Sequence, residues 1–270
     1  MTRYAAMFDR CGARGEGALG AFLVLGDPGI AESETYLDAL VAGGADMIEL
    51  GIPFSDPIAD GPVIQAAAVR ALEAGVRTGD CLAIIDRFRH RHAAVPIGVL
   101  TYANIVAARG IERFASELAA AGADSLLVAD VPTLEATPYA AAARAAGIDL
   151  VMIAAPNTPR TTIKRIAALS SGYVYCVSRP GVTGADLQPQ LGHMPLFAAL
   201  ADAGAVPPVV GFGIASPAHV AKALAHGAAG IICGSALVKR VARGETPAEL
   251  TRFVAGLKAA TVLDFATLAD

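Results

Sequence analysis

One short pattern recurs along the chain: an alanine-rich stretch, then a glycine, then a run of apolar residues. It occurs in VAGGADMIEL from residue 41, AAAGADSLLVAD from 119, RAAGIDLVMIA from 144 and LAHGAAGIICG from 224. A glycine in that position can take the left-handed conformation that ends a helix. Short runs rich in Val, Ile and Leu are typical of strands that are buried on both faces. The pattern therefore predicts helices that alternate with parallel strands.

Four further apolar runs bring the number of predicted strands to eight, and they lie at 21–25, 96–100, 173–177 and 208–212. Helical stretches separate the strands, among them 31–42, 62–73, 111–121 and 217–226. Eight such units in about 250 residues match the size of a (β/α)8 barrel. We therefore expect an α/β protein in which residues 1–270 form a single TIM-barrel domain with extra N-terminal and loop helices. An open doubly wound sheet is the alternative, because the pattern does not show whether the sheet closes.

The composition narrows the kinds of partner. Hydrophobic residues make up 54% of the chain, enough for a large core, and the net charge of −4 offers no basic surface for nucleic acid or anionic lipid. The four cysteines form no C-x-x-C pair and the five histidines form no ligand cluster. No apolar stretch is long enough to span a bilayer. These features predict a cytoplasmic, metal-free protein with a small ligand.

The segment IELGIPFSDPIADGP at 48–62 brings carboxylates to the end of a buried strand. In (β/α)8 barrels the active site lies at this end of the strands. The alternation of side chains along the strand, with Met47 two residues earlier, predicts that Glu49 faces inward. Asp60 lies in the loop that follows. One buried and one loop carboxylate over the same barrel mouth would separate acid and base roles by environment. Each also has a structural interpretation, Glu49 as the partner of an Arg or Lys and Asp60 as a turn residue.

Glycines follow the seventh and eighth predicted strands, in VVGFGIAS from residue 209 and IICGSALV from 231. Their backbone N–H groups can approach an anion closely, and Ser235 at the start of a helix adds a hydroxyl. A phosphate commonly binds at this place in such barrels. After the sixth strand, GYVYCVSRPGVTGADLQPQLG at 172–192 predicts a lid, from which Gly184 could supply another N–H. Tyr175 and Phe22 could form flat apolar walls for an aromatic substrate.

These residues predict a phosphorylated substrate, a general acid/base Glu, an assisting Asp and lyase or isomerase chemistry without a metal or redox cofactor. The motifs also resemble one family, the tryptophan synthase α subunit, almost end to end. The motifs that carry the resemblance are LGDPG at 25, IELGIPFSDPIADGP at 48, YAN at 102, VADVP at 128, SRPGVTG at 178, GFGI at 211 and GSA at 234. The resemblance implies a (β/α)8 barrel that cleaves indole-3-glycerol phosphate to indole and glyceraldehyde 3-phosphate.

The resemblance also implies roles and partners. It implies that Glu49 transfers protons and that Asp60 holds the indole ring N–H. The substrate-binding residues that it and the chemistry above suggest are Phe22, Tyr175, Thr183, Gly184, Phe212, Gly213, Gly234 and Ser235. Indole would pass to a β subunit in an α2β2 complex, with contacts through loops around Pro53, Asp56 and Pro132. The chain would carry no cofactor, and pyridoxal phosphate would belong to the β subunit alone.

Three rival functions stay open. The chain could be a free-standing indole-3-glycerol-phosphate lyase that releases indole without a β subunit. It could be a non-catalytic paralogue that only activates a β subunit, although the presence of both Glu49 and Asp60 argues against this. Another phosphate-binding barrel, such as an isomerase, is disfavoured by the segment PFSDPIADGP at 53–62.

Overall fold

A computed structural model describes residues 1–177, 193–211 and 213–262 of the chain. In these ranges the chain forms nine strands and twelve helices. The strands are β1 (Ala18–Val24), β2 (Met47–Gly51), β3 (Ile97–Thr101), β4 (Ser125–Val128), β5 (Asp149–Leu150), β6 (Met152–Ala154), β7 (Val174–Cys176), β8 (Pro208–Val210) and β9 (Gly230–Cys233). The helices are α1 (Arg3–Ala13), α2 (Ile30–Ala42), α3 (Pro62–Glu73), α4 (Thr78–Arg91), α5 (Ala103–Arg109), α6 (Ile111–Ala120), α7 (Thr137–Ala146), α8 (Arg160–Leu169), α9 (Met194–Asp202), α10 (Pro217–Ala225), α11 (Ser235–Ala242) and α12 (Pro247–Ala259).

All nine strands belong to one parallel sheet in the order β5-β4-β3-β2-β1-β9-β8-β7-β6. The two ends of this sheet, β5 and β6, are consecutive in the chain and are separated only by Val151. The Val151 N–H donates to the Leu126 carbonyl at 2.9 Å, and the Ser171 N–H donates to the Leu150 carbonyl at 2.9 Å. The sheet therefore closes into a (β/α)8 barrel, as predicted, and the open-sheet alternative is wrong.

The count of nine strands differs from the eight predicted because one strand is divided. The stretch at 148–154 was expected to be continuous, but it changes partners at Val151: β5 pairs with β4, and β6 pairs with β7. A strand at the closing seam of a twisted sheet must reach both neighbours, and here its two halves do so separately. That residues 1–270 form a single domain stays a prediction.

The predicted helices are confirmed to within one or two residues at their ends. The four glycines of the repeating pattern have left-handed backbone conformations, with φ of 96° at Gly44, 90° at Gly122, 76° at Gly147 and 94° at Gly227. Each glycine therefore ends its helix in a left-handed conformation. A residue with a side chain could adopt this conformation only with strain. The extra N-terminal helix is α1, and α5 is an extra helix in the loop after β3.

Helix α1 covers the barrel at the N-terminal ends of the strands and buries three side chains, Tyr4, Met7 and Cys11. The Tyr4 hydroxyl lies 2.8 Å from Ser125 Oγ of β4, and the Tyr4 ring packs edge-on against Tyr173 with 5.3 Å between ring centroids. A side chain at Gly98 of β3 would come within 3.0 Å of the Tyr4 hydroxyl. The missing side chain of Gly98 thus leaves room for two tyrosines beneath the active site.

A guanidinium at the same end of the barrel ties several elements together. Arg89 of α4 donates to Asp124 Oδ2 at 2.6 Å and to the carbonyls of Gly122, His92, Ala93 and Val95. Asp124 also accepts from the Ile97 N–H at 2.8 Å and from Arg3 of α1 at 2.8 Å. This single charged group therefore links α4, β3 and the loop before β4.

We expect Arg89→Ala to lower the free energy of unfolding by about 3 kcal/mol, because it removes a donor from several half-buried carbonyls and a charged partner from Asp124, whose Oδ2 keeps the Ile97 N–H. Arg87→Ala on the same helix is the control. Arg87 is largely exposed and pairs with Glu34 at 2.6 Å, so its loss should cost less than about 1 kcal/mol. Chemical denaturation of both variants measures the difference, and equal losses would contradict this role of Arg89.

Candidate active site

A cavity opens at the C-terminal ends of the barrel strands, with about 600 Å³ of empty space that includes the solvent at its mouth. Seven of the residues predicted to form the site line the cavity: Phe22, Glu49, Asp60, Tyr175, Gly213, Gly234 and Ser235. Of the other predicted site residues, Thr183, Gly184 and Phe212 lie outside the described residues, as does most of the predicted lid.

Glu49 lies in the middle of β2 and is only 2% exposed. The Tyr173 hydroxyl donates to its Oε1 at 3.0 Å, whereas Oε2 has no hydrogen-bond partner among the described residues. Loss of water around the buried carboxylate raises the pKa of Glu49 to about 8; the Tyr173 hydrogen bond opposes this rise, and the nearby charge of Asp60 adds to it. At neutral pH this side chain therefore holds a proton that it can donate.

Asp60 lies at the end of the loop that follows β2 and is 8% exposed. Its Oδ2 accepts a hydrogen bond of 2.7 Å from the Tyr102 hydroxyl, and its backbone carbonyl accepts one of 2.8 Å from Gln65 Nε2. Burial raises the pKa of Asp60 to about 6, and the Tyr102 hydrogen bond counteracts part of that effect. Asp60 is therefore mostly ionised at neutral pH, where Glu49 is mostly protonated.

One side of the cavity is aromatic and tightly fitted. The Tyr175 hydroxyl donates to the Gly211 carbonyl at 3.2 Å. A Cβ added at Gly211 would lie 1.9 Å from the Tyr175 ring, so this glycine is required for the ring to take its position. Phe22 fits closely as well, since a Cβ at Gly51 of the neighbouring strand would lie 2.8 Å from its ring. Both aromatic rings line the cavity and offer apolar surface to a flat group.

Another part of the cavity lining consists of backbone and one hydroxyl. Gly234 is the residue before α11, Ser235 is the first residue of that helix, and Gly213 has a φ of 78°. The first N–H groups of a helix have no partner within it, and together with the helix dipole they favour an anion. The described lining contains no Lys or Arg. The donors that the described residues offer at this part of the cavity are neutral.

Two tyrosines of the site were not assigned a role from the sequence. The sequence gives Tyr173 no role beyond its place in the predicted strand at 173–177, and it gives Tyr102 none beyond the YAN motif. Their positions carried a signal, since one lies two residues before a predicted site residue and the other directly follows a strand. Their hydrogen bonds to Glu49 and Asp60 span 124 and 42 residues of sequence. No local sequence pattern predicts contacts between residues so far apart in the chain.

Neither a metal site nor a membrane-spanning helix occurs in the described parts of the chain. Across 1–177, 193–211 and 213–262, no three His, Cys, Asp or Glu side chains are grouped so that they could hold a metal ion. None of the helices in those ranges combines the length and apolar character needed to cross a membrane.

Fold and site together define a class of protein, a (β/α)8-barrel enzyme with two buried carboxyl groups in one cavity. Residues 8–262 match the family described as tryptophan synthase alpha chain. Two relatives with that description, from Shewanella amazonensis and Aeromonas salmonicida, are 50% and 49% identical over 266 residues. The match covers 97% of this chain and 100% and 99% of the relatives. The chain belongs to the tryptophan synthase alpha chain family, which confirms the resemblance seen in its motifs.

Solved structures agree with this assignment. Mycobacterium tuberculosis tryptophan synthase has a chain that superimposes with a TM-score of 0.88 at 35% identity, covering 97% of this chain and 99% of that one. A chain of the tryptophan synthase complex from Pyrococcus furiosus superimposes with a TM-score of 0.81 at 37% identity, covering 90% and 98%. The shared architecture thus extends over nearly the whole chain.

We expect the burial of Glu49 to make folding stability depend on pH. Below its usual pKa of 4.5, the carboxyl is protonated in both the folded and the unfolded state. Between pH 4.5 and about 8 the unfolded chain releases this proton and the folded chain keeps it, so stability falls as pH rises. Glu49→Gln removes the effect, and its stability relative to wild type should increase by roughly 4 kcal/mol between pH 5 and pH 8.

Chemical denaturation at the two pH values measures this change. Glu73→Gln, at the exposed end of α3, is the control, because that carboxylate is in water before and after unfolding. Its effect should be the same at both pH values. A Glu49→Gln effect that did not vary with pH would show that Glu49 is ionised without penalty in the folded protein.

Proposed function

We propose that this chain cleaves indole-3-glycerol phosphate to indole and glyceraldehyde 3-phosphate, with Glu49 as the proton-transfer group and Asp60 as the group that stabilises positive charge. The observation that carries these roles is the pairing of two buried carboxylates in one cavity. Each has a tyrosine on one oxygen, Tyr173 for Glu49 and Tyr102 for Asp60. The other oxygen of each accepts no hydrogen bond from a described residue, which leaves it available to the substrate.

The chemistry requires one proton to arrive and one to leave. Glu49 would protonate carbon 3 of the indole ring, which creates an iminium at the ring nitrogen. The bond between this carbon and the glycerol chain then breaks, and its electron pair restores the aromatic ring. The adjacent glycerol hydroxyl becomes the aldehyde by losing its proton to Glu49. One carboxyl with a pKa of about 8 serves as acid and then as base, and ends as it began.

Asp60 would act on the same transition state by electrostatics. A negative charge that accepts the ring N–H favours the positive charge that develops on that nitrogen. The environment of Asp60 suits this role, since its pKa of about 6 leaves it ionised while Glu49 stays protonated. Two carboxyl groups with pKa values that differ in this direction are the arrangement expected of an acid and an electrostatic partner.

The remaining contacts would bind the two ends of the substrate. Phe22 and Tyr175 would flank the indole ring, and Gly213, Gly234 and Ser235 would hold the phosphate at the start of α11. We extend the proposal to Thr183, Gly184 and Phe212 on the family resemblance alone. Every step uses groups of the chain or the substrate, so we propose that the chain needs no cofactor and that pyridoxal phosphate belongs to the β subunit.

We also propose that a β subunit binds over the barrel mouth. Large apolar side chains project into solvent from two loops at this end of the barrel: Ile58, after β2, is 71% exposed and Leu134, after β4, is 73% exposed. Asp56 and Pro132 in the same loops are exposed too, whereas Pro53 is buried and would support the loop from within. Exposed apolar side chains near an active site favour a protein partner. A cytoplasmic location remains a prediction.

We expect Glu49→Gln to reduce kcat by about 10²- to 10⁴-fold, because it removes the only proton-transfer group. Asp60→Asn should reduce kcat substantially with little change in KM. The double variant should be little worse than Glu49→Gln alone, since both residues act on one transition state. Asp86→Asn, an exposed carboxylate on α4, is the control and should have normal activity. Indole release measures all four.

The pH profile of kcat/KM tests the same assignment. Activity should fall below about pH 6, where Asp60 becomes protonated, and above about pH 8, where Glu49 loses its proton. Near-normal indole release by Glu49→Gln, or losses that simply multiply in the double variant, would contradict the shared mechanism.

For the partner, we expect Leu134→Asp to weaken binding of a tryptophan synthase β subunit at least tenfold, because a charge would replace apolar contact area. Indole release by the isolated chain should not change. Val262→Asp is the matched control: Val262 is 61% exposed but lies at the opposite end of the barrel, next to Thr261, whose carbonyl accepts from the Gly17 N–H before β1. Calorimetry measures both affinities. Rapid indole release without any complex at micromolar concentrations would favour the free-standing lyase.

A further inference from the structure

Tyr102 lies beside the active site without lining its main cavity. It is the first residue after β3, it is 1% exposed, and its hydroxyl donates to Asp60 Oδ2 at 2.7 Å. Its ring stacks on Phe54, which belongs to the same loop as Asp60, with 5.2 Å between centroids and 28° between planes. The hydroxyl therefore reaches Asp60 from a ring that is itself packed against the Asp60 loop.

The backbone on both sides of this contact is also fixed. The N–H of Ala103, the next residue, donates to Asp130 Oδ1 at 2.7 Å, and the Tyr102 carbonyl accepts from the Ile105 N–H at 3.1 Å. On the other side, the Asp60 N–H donates to the Pro57 carbonyl at 3.0 Å. The backbone at Tyr102 cannot shift without breaking a hydrogen bond at the start of α5, and the backbone at Asp60 cannot shift without breaking one in the loop.

The orientation of the Asp60 carboxylate matters because Asp60 borders two spaces. One is the active-site cavity, and the other is a narrow crevice with room for about one water molecule, lined mainly by apolar side chains and also by Tyr102. A carboxylate that is free to rotate could turn toward either space. The Tyr102 hydroxyl occupies Oδ2 and leaves Oδ1 without a hydrogen bond from a described residue.

We propose that Tyr102 is a positioning residue for the lyase reaction: its hydroxyl holds one oxygen of the Asp60 carboxylate in place and leaves the other for the ring N–H. This inference rests on the role of Asp60 in the proposed function. It assigns to Tyr102 a share of the electrostatic stabilisation without any contact between Tyr102 and the substrate.

The charges around Asp60 support this assignment. The titratable groups that face it are Glu49 of β2, Tyr175 of β7 and Tyr102 itself, and the described cavity lining has no Lys or Arg. Burial raises the pKa of Asp60, and the Tyr102 hydrogen bond is the interaction that lowers it. Burial and the neighbouring carboxylate raise the pKa of Tyr102 far above its usual value, so its hydroxyl stays protonated and donates.

The test is Tyr102→Phe, which removes one oxygen and keeps the ring that stacks on Phe54. We expect the acidic limb of the kcat/KM profile to move to higher pH by about one unit, the size of one charge-assisted hydrogen bond. At pH 8 kcat should fall several-fold while KM stays nearly constant. The substrate phosphate also titrates near pH 6, but it does so with both enzymes, so the difference between their profiles isolates the protein.

Two further variants separate a positioning role of Tyr102 from a general loss of structure. In an Asp60→Asn background, Tyr102→Phe should change kcat less than about twofold, because the group through which it acts is gone. Tyr36→Phe is the matched control: its hydroxyl donates to the Glu245 carbonyl at 3.0 Å away from the site, and its loss should leave the pH profile unchanged. Thermal unfolding of each variant checks that it is folded at the assay temperature.

The outcomes distinguish this inference from the function on which it rests. If Asp60→Asn alone has normal activity, the role proposed for Asp60 is wrong. If Asp60→Asn is impaired but Tyr102→Phe keeps the wild-type pH profile and kcat, the role proposed for Tyr102 is overturned. An equal loss from Tyr102→Phe in both backgrounds would also overturn it, because Tyr102 would then act independently of Asp60.

Discussion

The removal of water from the Glu49 carboxyl is the constraint on which the rest of the site depends. A carboxylate inside a closed parallel barrel has no solvent to stabilise its charge, so the proton stays on it at neutral pH. Several features of the fold preserve this state. Helix α1 covers the far end of the barrel, Tyr4 and Tyr173 fill the space beneath the carboxyl, and Gly98 leaves room for their hydroxyls. Without this floor, water could reach Glu49 and return its pKa toward the usual value.

Asp60 shows how a second carboxylate in the same cavity can keep a different charge. It belongs to a loop rather than to a strand, it is less deeply buried than Glu49, and it receives a shorter hydrogen bond from its tyrosine. These differences place the pKa of Asp60 below that of Glu49. The barrel therefore presents a proton and a negative charge to one small molecule, a combination that two carboxyl groups in water could not maintain.

The family assignment and the site geometry are independent supports for one function. The family match runs from residue 8 to residue 262 and rests on sequence, whereas the geometry rests on side-chain positions. The geometry supports the proposed roles because a strand holds the deeply buried Glu49 and a loop holds Asp60. Under the same proposal, Gly213, Gly234 and Ser235 would bind the phosphate of the substrate.

The sequence by itself determined the alternation of helices and strands, the four glycines that end helices, the strand position of Glu49 and the loop position of Asp60. These features are local, because periodicity and backbone conformation depend on residues near one another in the chain. Only the tertiary structure decided that the sheet closes at Val151, which divides one strand in two. It also decided that Tyr173 donates to Glu49 and Tyr102 to Asp60. Those contacts join residues that are far apart in sequence. Because burial and electrostatics act through space, the charge states of the two carboxyl groups exist only once the barrel has closed.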